Sequence, residues 1–110
     1  MQNNRKADSI RRYIKSQFDL PDDQIESMIP LFLATLAEYL TTLDQACAAN
    51  DPAELGRVGH TIKGALLNLG LHQAAEIALT IEQRGKAADH AADYQALAAE
   101  LRDTLAGYLD

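Results

Sequence analysis

Apolar residues recur every three or four positions along nearly all of this 110-residue chain, a period that fits helices and little else. β-Branched runs and hairpin dipeptides are scarce, while Ala, Leu, Gln and Glu abound. Proline and glycine divide the pattern into five segments. The first predicted helix covers 7–18, with Ile10, Ile14 and Phe18 as its anchoring stripe. A turn near Asp19-Leu20-Pro21 follows, and Asp22 and Asp23 suit a helix N-terminus. The second segment runs to about Ala49 and buries Phe32, Leu36, Leu40, Leu43 and Cys47. Within it Pro30 forces a kink or a restart; the expectation is a short first turn, then a main helix from about Ser27 as N-cap.

The third helix is the best bounded. Asp51 is a good N-cap, Pro52 fits the first helical position, and Glu54 stands where a capping box wants an acid. The helix should run to Leu69, with Gly70 as the left-handed residue that ends it. Leu55, Val58, Ile62, Ala65, Leu66 and Leu69 form its buried stripe. A fourth helix is expected over 71–84, with Ala74, Ile77, Ala78 and Ile81 inward and Gly85 at its end. The last should start near Asp89 and use Tyr94, Leu97, Leu101, Leu105 and Tyr108. Short connections favour antiparallel neighbours. The predicted fold is therefore all-α: an antiparallel up-down four-helix bundle with an additional N-terminal helix, one domain over 1–110. The starting Met1 favours a free-standing chain.

Composition narrows the function. A net charge of −6 argues against a nucleic-acid footprint, which needs a basic face. No apolar run approaches membrane-spanning length, and no signal-peptide core is present at the N-terminus. One cysteine, Cys47, excludes an internal disulfide and fits a reducing compartment. His72 and His90 lack partners at metal-ligand spacing, so no metal or cofactor is expected on this chain.

The third helix carries the candidate chemistry. His60 points about 170° away from the centre of the buried stripe. Its neighbours at three and four residues are Gly56, Arg57, Lys63 and Gly64, and Leu67 lies within about 20° of the same line. Three glycines inside one helix, Gly56, Gly59 and Gly64, cost roughly 3 kcal/mol of helix propensity relative to alanine. At Gly64 the missing Cβ leaves room beside the imidazole for another protein to approach. Gly59 points nearer the core edge, where it permits close helix packing. Gly56 fits either purpose.

The run Gly59-His60-Thr61-Ile62-Lys63-Gly64-Ala65-Leu66-Leu67-Asn68-Leu69-Gly70 resembles the histidine-containing phosphotransfer (HPt) domain family. The shared pattern is a histidine followed by Lys-Gly at the third and fourth positions and a Leu-Gly helix end. Downstream, Ile81-Glu82-Gln83-Arg84-Gly85 resembles that family's Leu-Glu-x-x-Gly. Gly59 stands where the family usually has alanine, and Ile62 and Leu66 replace its more common Leu and small residue. These departures bear on packing and partner choice rather than on the chemistry.

The resemblance implies a cytoplasmic, monomeric phosphoryl carrier of multistep two-component signalling, without kinase activity of its own. It implies partners among response-regulator receiver domains and hybrid sensor kinases, with any metal ion supplied by the receiver. By the same analogy His60 is the phospho-acceptor through Nε2, assisted by Lys63 and Gly64. The helical wheel, not the analogy, adds Gly56, Arg57 and Leu67 as candidates for partner docking, with Leu67 equally able to tuck beneath the N-terminal helix. Phosphoryl transfer depends mainly on alignment and charge stabilisation. The cations Lys63 and Arg57 favour the neutral, nucleophilic imidazole and can then face the transferred group. No nucleotide-binding loop is present. One alternative is a phosphorylation-independent helical adaptor that binds a receiver or kinase. A bundle enzyme would need inward Glu-x-x-His pairs, which the sequence lacks. A kinase dimerisation domain would need an acid and a later proline after its histidine.

Overall fold

The computed structural model describes residues 5–109, with side chains from Ala7 onward. Among the described residues there are five helices and no strand: α1 (Arg5–Phe18), α2 (Asp22–Ala49), α3 (Pro52–Asn68), α4 (His72–Lys86) and α5 (Tyr94–Leu105). The longest, α2, should measure about 42 Å at 1.5 Å per residue, which accounts for the 45 Å long axis of the molecule. α3 packs most extensively on α4, and α2 closes the bundle against α3 and α5. The core between them is drawn from the expected stripes: Leu36, Leu40 and Leu43 of α2, Leu55, Ile62 and Leu66 of α3, Ala78 and Ile81 of α4, Leu101 and Leu105 of α5.

α1 lies on the first half of α2 and buries Ile10 and Ile14 completely. Phe18, expected in the same stripe, is exposed. At roughly 100° per residue Phe18 lies about 80° round the helix from Ile10 and falls outside the buried stripe. Asp19 then adopts a left-handed φ of 47°, and Leu20 packs against the core. Arg11 pairs with Glu26, and Lys15 Nζ sits 3.2 Å from Asp22, holding the two helices together at the rim.

The restart expected at Ser27 does not occur. α2 begins at Asp22 and continues through Pro30, and the Ser27 hydroxyl donates to the Asp23 carbonyl as an ordinary mid-helix residue. Pro30 removes the N–H that would serve the Glu26 carbonyl, but the proline faces solvent, where water can satisfy that oxygen. On the opposite side Ile25 and Ile29 are buried, so an unbroken helix seals apolar area that a restart would expose. Cys47 and Phe32 are half-buried rather than core residues; Ala46 occupies the core position beside Cys47.

α3 is capped as expected, with Asp51 Oδ1 accepting from the Glu54 N–H at 3.3 Å. It ends at Asn68 in a Schellman motif: the N–H of Leu71 reaches the Leu66 carbonyl, and that of Gly70 (φ 75°) reaches Leu67. α4 overruns its expected end by two residues. Gly85 lies inside the helix, and Ala88 takes the left-handed position (φ 54°), with Asp89 N–H bonded to the Arg84 carbonyl. α5 begins at Tyr94, not Asp89, because Asp93 is its N-cap and accepts from the Ala96 N–H at 3.0 Å. Asp89 instead organises the preceding turn, accepting from the Ala91 N–H, while its carbonyl takes the Tyr94 hydroxyl at 2.7 Å.

Gly85 is internal because α3 and α4 cross backbone against backbone. A Cβ at Gly85 would overlap the Gly56 nitrogen and lie 2.6 Å from the Pro52 carbonyl oxygen. One at Gly59 would lie 2.8 Å from the Glu82 nitrogen. Two substitutions should therefore move stability in opposite directions in urea unfolding. Gly85→Ala should destabilise by about 1–3 kcal/mol through the forced separation of the helices. Ala88→Gly should stabilise by about 1 kcal/mol by relieving a left-handed alanine, raising Tm by roughly 4 °C.

Candidate functional site: an outward histidine over a buried carboxylate

His60 stands on the outer face of α3, opposite the core stripe, with its side chain 63% exposed. Two different surroundings flank it. Towards α2 lies an open groove of about 430 Å³, lined by Phe32, Thr35 and Tyr39 of α2 and by His60, Gly64 and Asn68 of α3. Nothing lies within 4 Å of where a Gly64 Cβ would stand, so the ring is open to approach on this side. Leu67 continues the same face one turn on and is 41% exposed.

Towards α4 lies a charged cluster centred on Glu82, which is only 4% exposed. Its Oε2 is 2.8 Å from His60 Nδ1 and 2.8 Å from Lys86 Nζ. Its Oε1 accepts no hydrogen bond in good geometry but faces Lys63 Nζ at 2.7 Å as an ion pair. Burial alone would raise this carboxyl's pKa. Lys63, Lys86 and the imidazole together outweigh that effect and hold it down at about 2. The carboxylate is covered by the side chains that pair with it, and it lies just under the surface.

This contact orders the ring. A carboxylate that is ionised at neutral pH only accepts hydrogen bonds, so it favours a proton on His60 Nδ1. Nε2 is then left with its lone pair directed away from Glu82. One nitrogen is tethered to Glu82, in a ring whose side chain is 63% exposed. Catalytic histidines oriented by a carboxylate follow the same logic.

The expected site residues divide accordingly. His60, Lys63, Gly64 and Leu67 share the outer face. Gly56 does not: it is buried beneath the end of α4, and a Cβ there would lie 3.1 Å from the Lys86 nitrogen. It serves the helix crossing and cannot form a docking surface. Arg57 is exposed but turns to Glu54, and Lys63 is engaged by Glu82, so neither cation stands free beside the imidazole. Glu82 and Lys86 belong to the cluster although neither was expected there. A signal for Glu82 existed: it follows Ala75 and Ala78 at intervals of three and four on a buried face, a register where a carboxylate needs a partner. Among the described residues no cluster of three or more His, Cys, Asp or Glu could hold a metal ion. Nor is any helix there long and apolar enough to cross a membrane.

The site is thus an exposed imidazole on a helical bundle, tethered through Nδ1 to a buried carboxylate. The Hpt domain family model matches residues 27–109, and the chain belongs to that family. Its role is accordingly histidine phosphotransfer in phosphorelays, as a phosphocarrier module whose family interacts with receiver domains. No curated protein and no solved structure gave a match to the chain. The matched span leaves out α1, which packs on α2.

The Glu82 cluster predicts a specific acid response. The folded-state carboxyl titrates near 2 against an ordinary value of 4.5, so its ionised form stabilises the fold fully above about pH 4.5. That contribution should be lost progressively as pH falls from about 4.5 towards 2. Urea unfolding as a function of pH should show this slope in the wild type and a shallower one in Glu82→Gln.

Proposed function

We propose that His60 is the phospho-acceptor, taking a phosphoryl group from an aspartyl phosphate of a receiver domain and passing it to a second receiver. The observation that carries this reading is the Glu82–His60 Nδ1 contact at 2.8 Å, beneath an exposed ring. It favours Nε2 as the nucleophile, because Nδ1 is occupied by the carboxylate. As Nε2 bonds to phosphorus, the phosphorus–oxygen bond to the partner's aspartate breaks and the electron pair leaves with that carboxylate. The ring gains positive charge, which the Nδ1–H shares with Glu82 through a charge-assisted hydrogen bond. The reverse sequence returns the group to another aspartate. The open side at Gly64 and the groove walled by Phe32 and Tyr39 give a receiver room to bring its aspartyl phosphate in line with Nε2. A hybrid sensor kinase carrying a receiver is the partner class on the donor side. Metal and nucleotide chemistry fall to the partners.

His60→Gln should abolish alkaline-stable phosphohistidine formation on incubation with a phosphorylated receiver, with unchanged helical circular dichroism. A variant still labelled at the wild-type rate would remove His60 from the reaction. Lys63→Ala should slow transfer without preventing it. A bulky residue at Gly64, such as Gly64→Leu, should weaken receiver binding more than it alters folding, since a Cβ there meets open space. An adaptor that never carries phosphate would bind the receiver equally well with His60→Gln and show no label in the wild type.

A further inference from the structure

Glu82 is one carboxylate facing two ammonium groups and an imidazole N–H. With the imidazole neutral the cluster carries one surplus positive charge. Its two lysines are not equivalent. Lys63 is the more enclosed, with its side chain 25% exposed, and it alone contacts Oε1. Lys86 is 63% exposed and shares Oε2 with His60, each at 2.8 Å. The Lys86 ammonium and the ring nitrogen are thus at most twice that distance apart. Backbone geometry sets this closeness, because Gly56 lets the α4 end settle on α3: a Cβ at position 56 would lie 3.1 Å from the Lys86 nitrogen and 3.4 Å from its Cγ.

From this arrangement we infer that Lys86 is a positioning cation held in reserve: it rests on Glu82 while His60 is unmodified and pairs with the phosphoryl group once His60 carries one. The inference rests on the reading of His60 as phospho-acceptor. Glu82 is buried and must keep one counterion, and the enclosed Lys63 supplies it. Lys86 can leave without stranding a buried charge. Its flexible four-carbon stem lets the ammonium move from the Nδ1 side of the ring towards a group on Nε2. Arg57, the other nearby cation on α3, is engaged by Glu54 one turn back. The exchange forms no covalent bond; an ammonium leaves a carboxylate that retains a partner and meets a dianion that has none.

The test compares wild type with Lys86→Gln and Lys86→Arg, phosphorylated at His60 by phosphoramidate, whose phosphorus–nitrogen bond breaks with loss of ammonia. Titration of the phosphohistidine signal by phosphorus NMR reads the charge beside the phosphoryl group. A cation there favours the dianion, so the midpoint in Lys86→Gln should lie roughly 0.3 to 0.7 pH units above wild type, the range expected for an exposed ion pair. Lys86→Arg should restore it. In exchange with a phosphorylated receiver, Lys86→Gln should also lower the equilibrium ratio of phosphorylated His60 to phosphorylated receiver roughly 2- to 5-fold. Equal midpoints in wild type and Lys86→Gln would overturn the role of Lys86 and leave His60 as acceptor untouched. A wild type that gains phosphate from phosphoramidate but from no phosphorylated receiver would refute the carrier reading, while the midpoints would still decide whether Lys86 meets the phosphate.

Discussion

The contact on which the site depends is the backbone-to-backbone crossing of α3 and α4 at Gly56, Gly59 and Gly85. Three glycines in two helices are an expense in helix propensity, roughly 1 kcal/mol each, and packing must offset it. What the crossing provides is proximity. Glu82 follows the α4 turn that lies against Gly59, and a Cβ at 59 would come within 2.8 Å of its nitrogen. Helices separated by ordinary side chains stand 8–10 Å apart axis to axis, a spacing that would leave less certainty of a short carboxylate meeting the outer face of α3. The glycine seam allows a residue of α4 to reach around to the imidazole.

Glu82 then imposes order on its neighbours. A nearly inaccessible carboxylate is tolerated only with partners, and the three it has come from two helices: His60 and Lys63 from α3, Lys86 from α4. The same contacts that keep it ionised fix the orientation of the ring and gather two ammonium groups within reach of His60. Stability and arrangement are thus one set of interactions. Removing the acid would leave two lysines and a histidine with less reason to stay together.

The parts of this design written in local sequence were legible; those created by the crossing were not. The limits of α3 follow from Asp51, Pro52, Glu54 and Gly70, each acting within a few residues of itself, and the outward aspect of His60 follows from the helical period. The start of α2 and the end of α4 were misplaced because distant contacts decide them, and the start of α5 because Asp93 rather than Asp89 caps it. Ile25 and Ile29 gain enough burial to carry a helix through Pro30. Gly85 reads as a helix terminator until Gly56 is seen to occupy the space beside it. Gly56, four residues from His60, reads as fit for either docking or packing, and α4 covers it. Glu82 stood within a recognisable motif, and its partnership with His60 needed the relative placement of two helices.

The two sides of His60 separate tasks that a carrier must combine. The α2 side is an open groove with Phe32 and Tyr39 in its walls and no charged residue lining it. Such a surface can supply contact area for a partner, but it cannot compensate the charge of a phosphoryl group. The α4 side holds the ionised groups, clustered and largely satisfied by one another, and is poorly suited to broad apolar contact. On the proposed reading, α2 and the open edge at Gly64 govern how tightly a receiver docks, while Glu82 and its lysines govern how stably the phosphoryl group rests on the ring. Because Phe32 and Tyr39 stand on α2 while Glu82 and Lys86 stand on α4, affinity and phosphoryl-group stability can be adjusted from different helices. A substitution in the groove should leave the charge environment of the ring intact, and one at Lys86 should leave the groove intact.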